Sequence, residues 1–236
     1  MSTISIQQNV ENVLANIDTA AKKSGRTSEK ITLIAVTKTH DPEFVMPAYH
    51  AGITHFGENR IQEAEEKIPQ LSDLEITWHM MGHLQRNKAK NALQLFHQFH
   101  ALDSKRLAKR LQKQLEKLGI ESWPTFIQVN VSGEESKYGI EPSELAPLIE
   151  LVGENCPGLS VKGLMTVAPF VNDESTLREN FRRLRELRDT NQNWEFANIN
   201  IQSLSMGMTN DYEYAIEEGA THVRIGRAIF GEREGY

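Results

Sequence analysis

Residues 31–42 read I-T-L-I-A-V-T-K-T-H-D-P, and this stretch decides the fold. Its first seven residues are apolar or β-branched, which predicts a buried strand that ends at Thr37. Lys38 follows the strand directly, and Asp41 and Pro42 are typical of a helix N-cap and a first helical residue. The stretch therefore predicts a strand–helix unit with a lysine at the carboxyl end of its strand, where α/β proteins place their functional side chains.

The same unit recurs along the chain. An opening helix, with apolar residues at helical spacing, begins near Ser5 and stops at Gly25. Strands are predicted at residues 31–37, 53–56, 76–81, 96–102, 125–131, 159–166, 199–204 and 221–225. Helices are predicted at residues 42–51, around 61–68, around 89–93, at 105–118 with a cap at Asp103-Ser104 and a stop at Gly119, and at 143–152, 174–188 and 211–217. Pro147 is compatible with its helix only near the helix start.

Eight strands alternating with helices in 236 residues predict an α/β fold, namely a single (β/α)8 TIM barrel over residues 1–236 with an extra N-terminal helix. An open, doubly wound sheet is the alternative. That fold would normally carry a glycine-rich phosphate loop after its first strand, whereas this chain has T-K-T-H-D-P there. No low-complexity segment or linker divides the series, so we expect one domain.

Composition narrows the class of protein. The single cysteine cannot form an internal disulfide, and no secretory signal is evident, so we expect a cytoplasmic protein. No apolar run approaches the roughly 20 residues of a membrane span, and the mean hydropathy is -0.47. A formal net charge of -6 argues against a nucleic-acid partner. The arginines of residues 178–188 alternate with glutamates and leucines, which indicates a solvated helix face.

Polar and small residues gather where the predicted strands end. The seventh and eighth strand ends carry Ser205, Gly207 and Gly226, and helices are expected to start near Thr209 and Arg227. Barrels often bind phosphate between these two loops, where a hydroxyl and close backbone N–H groups can meet the anion. Either glycine alone could simply permit a tight turn. Their placement at neighbouring strand ends favours a phosphate site.

Lys38 has a plain alternative interpretation as a solvated lysine. Strand alternation, however, places it on the same face as Ile34 and Val36. A partly desolvated lysine holds its proton less tightly, and the free amine can attack a carbonyl to form a Schiff base. A lysine beside a phosphate site suggests a phosphorylated aldehyde, either pyridoxal 5′-phosphate or a sugar phosphate of a class I aldolase. The aldolase is the weakest hypothesis, because its lysine usually lies on a later strand with acidic partners.

Two other kinds of site are not expected. His79 and His83 have the spacing of helical zinc ligands, but they lie at a strand end and no glutamate follows His79. We therefore predict no metal site. Cys156 falls in a loop at the opposite end of the barrel from the strand ends, so we do not expect it to be a nucleophile.

Seven segments carry a family resemblance: L-I-A-V-T-K at 33–38, F-G-E-N at 56–59, W-H-M-M-G-H-L-Q-R-N-K at 78–88, N-V-S-G-E-E-S-K-Y-G-I at 130–140, G-L-M at 163–165, S-M-G-M-T-N-D at 205–211, and V-R-I-G-R-A-I-F-G at 223–231. In this order and spacing, they resemble the YggS/PROSC family of pyridoxal phosphate homeostasis proteins. The resemblance runs through nearly the whole chain. It implies a barrel of the alanine racemase N-terminal domain type.

The resemblance also implies a set of cofactor contacts. Lys38 would hold pyridoxal 5′-phosphate as an internal aldimine, and Arg224 would approach the pyridine nitrogen. The phosphate would be held by Ser205, Gly207, Gly226 and the backbone of Arg227, while Asn59 and Met165 would line the ring. The family often has Thr or Ser where this chain has Arg227, so a hydroxyl contact to phosphate would be lost here.

Two function hypotheses remain open. The first is a protein that binds pyridoxal 5′-phosphate for its homeostasis, without a committed substrate reaction, and exchanges it with apo-enzymes that depend on it. The second is an amino-acid racemase, which needs acid/base groups on both faces of the substrate carbon. Alanine racemases supply the second group from an additional domain, and the sequence ends at Tyr236 after the eighth unit, so we expect no such domain and a monomer. Tyr138 could reach inward instead, and Lys137 could capture the aldehyde transiently.

Overall fold

The computed structural model describes residues 3–232, with side chains from Ser5 onward. Its centre is a closed barrel of eight parallel strands in chain order, and each strand pairs with the next until the eighth returns to the first. The strands are β1 (Thr32–Val36), β2 (His55–Glu58), β3 (Thr77–Met80), β4 (Gln98–Leu102), β5 (Trp123–Gln128), β6 (Leu159–Met165), β7 (Ile199–Met208) and β8 (His222–Ile225). The predicted (β/α)8 barrel is confirmed.

Within the same residues, helices surround the barrel. They are α1 (Thr3–Lys23), α2 (Val45–His50), α3 (Ile61–Lys67), α4 (Ala89–Leu95), α5 (Lys105–Leu118), α6 (Leu145–Asn155), α7 (Glu174–Thr190), α8 (Tyr212–Glu217) and α9 (Arg227–Phe230). Short 3-10 turns lie at Ser28–Lys30, Pro42–Phe44, Ile68–Leu71, Arg86–Lys88 and Pro142–Glu144. None of the described helices is long and apolar enough to cross a membrane.

The extra N-terminal helix packs across the barrel seam. α1 contacts α2 on one side and α8 and α9 on the other. Its buried stripe includes Ile6, Val10 and Ile17. Two amides fix it to the end of the chain, since Asn9 donates to the carbonyl of Ile229 and Asn16 donates to the hydroxyl of Tyr212. α1 thus holds the first and last strand–helix units together.

Helix ends show which local predictions were right. Ser104 caps α5, because its hydroxyl accepts a hydrogen bond from the Leu107 N–H, and Gly119 ends the helix in the left-handed conformation. Asp41 and Pro42 occupy the predicted N-cap and first helical positions, but of a 3-10 turn that leads into α2, and the Asp41 side chain makes no capping hydrogen bond. Pro147 is the third residue of α6, where the N–H it lacks would have had no partner within the helix.

Two strands end later along the chain than predicted. β2 begins at His55, which pairs with Thr77, whereas Ile53 is buried in the preceding loop. Gly57 belongs to this strand through its pairing with His79, and a Cβ there would lie 2.3 Å from the Met81 Cε inside the barrel. β7 continues to Met208, and its pairing with β8 shifts register between Ser205 and Met208.

The arginines of α7 form ion pairs at the protein surface, as the charge pattern of this helix indicated. On α7, Arg178 pairs with Glu174 and Glu217, while Arg185 pairs with Glu218. These contacts bind α7 to α8 and leave less positive charge for an anionic polymer.

Candidate functional site

A cavity of about 580 Å³ opens at the carboxyl ends of the strands. Six of the predicted site residues line it: Lys38, Asn59, Met165, Arg224, Gly226 and Arg227. Other lining residues include His40, Met81, Lys137, Thr209, Asn210 and Asp211. The volume suits a small ligand.

Lys38 is the second residue after β1, and it lines this cavity. The next residue, Thr39, has a φ of 67°, a left-handed conformation that is uncommon for a β-branched residue. Its N–H donates to Glu63 Oε2 over 2.8 Å, which fixes the backbone in this conformation. The lysine is therefore presented by a constrained turn.

A buried ion pair supports the same turn from behind. Lys67 Nζ lies 2.5 Å from Glu58 Oε1 and donates over 2.7 Å to the carbonyl oxygen of Thr37, the residue before Lys38. The Thr37 hydroxyl donates to Glu58 Oε1 over 2.7 Å. Glu58 and Lys67 are 0% and 4% exposed. Burial raises the pKa of Glu58, and the neighbouring Lys67 ammonium opposes that shift. We call Thr37, Glu58 and Lys67 the clamp.

Arg224 forms the floor of the cavity. It is 5% exposed, and its two terminal nitrogens donate to Ser205 Oγ over 2.9 Å and to the Thr166 carbonyl over 2.8 Å. Burial lowers its pKa to about 10, with Asp211 opposing the shift, so the guanidinium remains charged at neutral pH. Asp211 accepts from the Met208 N–H over 2.5 Å, and burial raises its pKa. A cationic donor thus faces the ligand space.

Two residues of the seventh strand end that were expected to contact the phosphate lie behind the cavity wall. Ser205 and Gly207 are not among the described residues that line the cavity. Ser205 is 0% exposed, and its hydroxyl contacts Arg224 and His100 below the floor. Gly207 has a φ of 93°, and a Cβ there would lie 2.6 Å from the Ala215 Cβ, so this glycine lets α8 pack on β7. Among the described lining residues, Thr209 is the one that carries a hydroxyl.

The eighth strand end borders the cavity. Gly226 lines the cavity, and a Cβ there would lie 3.2 Å from the Val36 carbonyl oxygen, so the neighbouring strand end leaves little space for a side chain. The Arg227 guanidinium turns toward Glu232, with a nitrogen–oxygen distance of 3.6 Å. The first N–H groups of a helix have no partner within it, so the start of α9 offers backbone donors.

Tyr138 does not reach inward. Its ring is 61% exposed and stacks on His83, with 4.6 Å between ring centroids, and it is not among the described residues of the cavity wall. His83 in turn contacts Asp103 over 2.9 Å. Lys137 does line the cavity, where it pairs with Glu134 and approaches the Val167 carbonyl at 3.4 Å.

The remaining candidates lie away from this chemistry. Within residues 3–232, no group of three or more His, Cys, Asp or Glu side chains is arranged to hold a metal. Cys156 is buried at the end of α6, and burial raises the pKa of its thiol to about 11. A thiol with such a pKa carries little thiolate at neutral pH.

Sequence reasoning missed three features of the site: Thr209, Asp211 and the clamp. Thr209 and Asp211 stood in the quoted S-M-G-M-T-N-D segment, but the strand was expected to end at residue 204. Glu58 was quoted within F-G-E-N, yet Lys67 gave no signal, because its position is that of an ordinary helix lysine.

Comparisons with known proteins give a consistent result. Residues 8–234 match the family described as alanine racemase, N-terminal domain. The chain is 43% identical over 227 residues to the pyridoxal phosphate homeostasis protein of Aquifex aeolicus, covering 96% of this chain and 98% of that protein. A crystal structure of an unknown protein from Bifidobacterium adolescentis superposes with a TM-score of 0.90 at 35% identity, covering 97% and 95% of the two chains. PipY of Synechococcus elongatus, in a structure with pyridoxal phosphate bound, gives a TM-score of 0.78 at 34% identity, covering 91% of this chain and all of that one.

Proposed function

Because the chain belongs to the pyridoxal phosphate homeostasis proteins, within the alanine racemase N-terminal domain family, we propose that it binds pyridoxal 5′-phosphate for cofactor homeostasis. In this role it holds the cofactor without a committed substrate reaction. One observation carries the proposal. The hydrogen-bonded neighbours β1 and β8 bring an amine, Lys38, and a buried guanidinium, Arg224, to the same cavity.

The donors of the cavity fit three parts of this cofactor: the aldehyde, the ring nitrogen and the phosphate. Lys38 is the group that would hold the aldehyde carbon covalently, and Arg224 would donate to the ring nitrogen. Thr209 and the backbone of Gly226 and Arg227 would bind the phosphate at the open side. Asn59 and Met165 would line the ring. Ser205 and Gly207 would act indirectly. Ser205 holds Arg224 through a hydrogen bond, and Gly207 lets α8 approach β7.

Arg224 would weaken the ring of the bound cofactor as an electron sink, which narrows the reactions available without excluding turnover. Bound pyridoxal phosphate supplies an electrophilic aldehyde and an electron-withdrawing ring, and the ring withdraws electrons most strongly when its nitrogen is protonated. A guanidinium donates a hydrogen bond and cannot accept one. Its positive charge also disfavours a second cation beside it. The cavity therefore stabilises the neutral ring, which is the weaker electron sink.

The racemase alternative needs an acid/base group on each face of the substrate carbon. Tyr138, the candidate for the second group, lies outside the cavity wall. Lys137 reaches the wall but is paired with Glu134. These contacts support the homeostatic function over the racemase. In the proposed function the protein acts as a cytoplasmic monomer and exchanges cofactor with apo-enzymes.

The first experiment locates the cofactor. Protein loaded with pyridoxal 5′-phosphate should be yellow, and borohydride reduction followed by peptide mapping should place the adduct on Lys38. Lys137→Ala is the matched control, because Lys137 lines the same cavity and should leave the adduct in place. Wild-type stoichiometry and colour in Lys38→Ala would overturn the assignment.

A second experiment separates homeostasis from catalysis. Loaded protein is incubated with a panel of L-amino acids, and the products are resolved by chiral chromatography. We expect no enantiomer to accumulate above the level given by free pyridoxal 5′-phosphate. Robust conversion that depends on Lys38 would establish a racemase instead.

A further inference from the structure

The barrel interior contains a column of imidazoles. His79 and His100 are fully buried, and His55 and His222 are partly buried. Their contacts cross the barrel, because His100 on β4 meets Ser205 on β7 and its ring lies 5.9 Å from that of His222 on β8. Strands that are not neighbours in the sheet can meet in this way only through side chains that point inward. TIM barrels normally fill this space with branched apolar side chains, so the imidazoles require a reason.

Three of these imidazoles continue the hydrogen bonds of Arg224. Arg224 donates to Ser205 Oγ, and Ser205 Oγ lies 2.9 Å from His100 Nδ1. His100 Nε2 lies 2.9 Å from His79 Nδ1, and His79 Nε2 lies 2.9 Å from His55 Nδ1. His55 is the first residue of β2 and is partly exposed. The series therefore runs from the cavity floor to the opposite end of the barrel.

The direction of these hydrogen bonds follows from Arg224. A guanidinium has donors and no acceptor, so Ser205 Oγ accepts from it. The buried Ser205 proton then needs an acceptor, and among the described residues its other partner is His100 Nδ1. Leaving that proton unpaired would be costly. His100 thus carries its proton on Nε2, donates to His79, and imposes the same tautomer on His79 and His55.

The surroundings keep these rings neutral. The pKa values of His79 and His100 are lowered well below the ordinary histidine value, first by burial and then by neighbouring imidazoles. No carboxylate is a hydrogen-bond partner of the three rings in residues 3–232. Phe126 stacks on His100, with 4.3 Å between centroids. Each neutral imidazole has one N–H donor and one acceptor nitrogen, so the hydrogen bonds along the series can all run in one direction.

We propose that Ser205, His100, His79 and His55 form a positioning relay that directs the donors of Arg224 into the cavity. Because His100 accepts the Ser205 proton, the Ser205 oxygen lone pairs remain for the guanidinium, and this hydrogen bond fixes the orientation of Arg224. The inference rests on the proposed function, because the oriented donor is useful to a ligand with a ring nitrogen. These four side chains touch Arg224 or one another, and they act on the ligand through Arg224.

The tautomers can be tested without ligand. In ¹⁵N-labelled protein at pH 7, long-range ¹H–¹⁵N spectra should give His55, His79 and His100 as neutral rings with the proton on Nε2. Nδ1–H tautomers, or imidazolium rings, would overturn the relay. This measurement is independent of whether the protein binds pyridoxal 5′-phosphate.

The second test compares two ligands. Ser205→Ala and His100→Phe should weaken binding of pyridoxal 5′-phosphate on the order of tenfold, the effect of losing a hydrogen bond to a charged group. The same substitutions should leave the affinity for 1-deazapyridoxal 5′-phosphate, in which C–H replaces the ring nitrogen, nearly unchanged. Ser205→Thr should restore binding. His97→Gln is the control, since His97 accepts from the Trp78 backbone and is not a member of the relay.

The outcomes separate the two proposals. If the variants bind both ligands as wild type does, or lose both equally, the relay is refuted while the proposed function stands. If wild-type protein binds no pyridoxal 5′-phosphate, the proposed function fails and the functional part of the relay fails with it. A circular dichroism spectrum and unfolding midpoint for each variant exclude misfolding as the cause of weak binding.

Discussion

The clamp behind Lys38 yields a sharp prediction for Lys67→Met. In the wild type, Lys67 donates to Glu58 and to the Thr37 carbonyl. Removing the ammonium leaves a fully buried Glu58 with the Thr37 hydroxyl as its remaining donor among the described residues, and Glu58 Oε2 already lacks a partner there. Breaking a buried ion pair from one side costs about 3–5 kcal/mol. We expect a loss of this size in the free energy of unfolding.

The effect should depend on pH in a defined direction. Burial raises the pKa of Glu58, and loss of Lys67 removes the charge that opposes this shift. A raised folded-state pKa means that the folded protein takes up the proton more readily than the unfolded chain. The deficit of Lys67→Met relative to wild type should therefore be largest near pH 7 and shrink as the pH falls toward the ordinary carboxyl range.

Urea unfolding at several pH values measures both effects. Lys113→Met, at an exposed position of α5, is the control and should stay within about 0.5 kcal/mol of wild type. The double variant Glu58→Gln, Lys67→Met should recover much of the loss, because neither charge is then buried alone. If the free energy of unfolding of Lys67→Met lies within about 1 kcal/mol of the wild-type value near pH 7, the structural role of the clamp is refuted.

The remaining predictions concern stability and reactivity. Ser104→Ala should lose about 1 kcal/mol in urea unfolding, whereas Asp41→Ala should be nearly neutral because the Asp41 side chain makes no capping hydrogen bond; equal effects would contradict this. Cys156 should resist iodoacetamide at pH 8 in the native state and react after denaturation, since burial raises its thiol pKa to about 11; rapid native labelling would exclude the buried position. Gly207→Ala should lower the unfolding midpoint more than Gly133→Ala, because both have positive φ but only the first places a Cβ within 2.6 Å of another side chain. Equal losses would show that the contact with α8 does not matter.

Much of the fold could be predicted because strand and helix signals are local. The apolar stretch before Lys38 and the stop at Gly119 act within a few residues, and both predictions were confirmed. β2 was misplaced because Gly57 and Glu58 look like turn residues. Their place in a strand depends on Met81 inside the barrel and on Lys67 outside it, which are contacts between distant parts of the chain.

The site was predictable wherever a strand end alone sets the position. Lys38 and Arg224 satisfy this condition, since each lies at or next to the end of a short regular strand. Ser205 does not, because β7 runs on to Met208 and changes register on the way. Its hydroxyl consequently faces His100 below the floor, whereas Thr209 lines the cavity. A register shift leaves no mark in a single sequence.

Pairing of β1 with β8 has a consequence for biosynthesis. Ile34 lies opposite Arg224 and Ala35 opposite Ile225, so Lys38 and Arg224 reach the cavity from the first and last strands to leave the ribosome. During translation a chain that lacks β8 has Lys38 but no floor, and β1 has a neighbouring strand, β2, on one side only. We expect that a nascent or truncated chain does not bind the ligand until the barrel closes. Ligand capture would then report that synthesis and folding are complete.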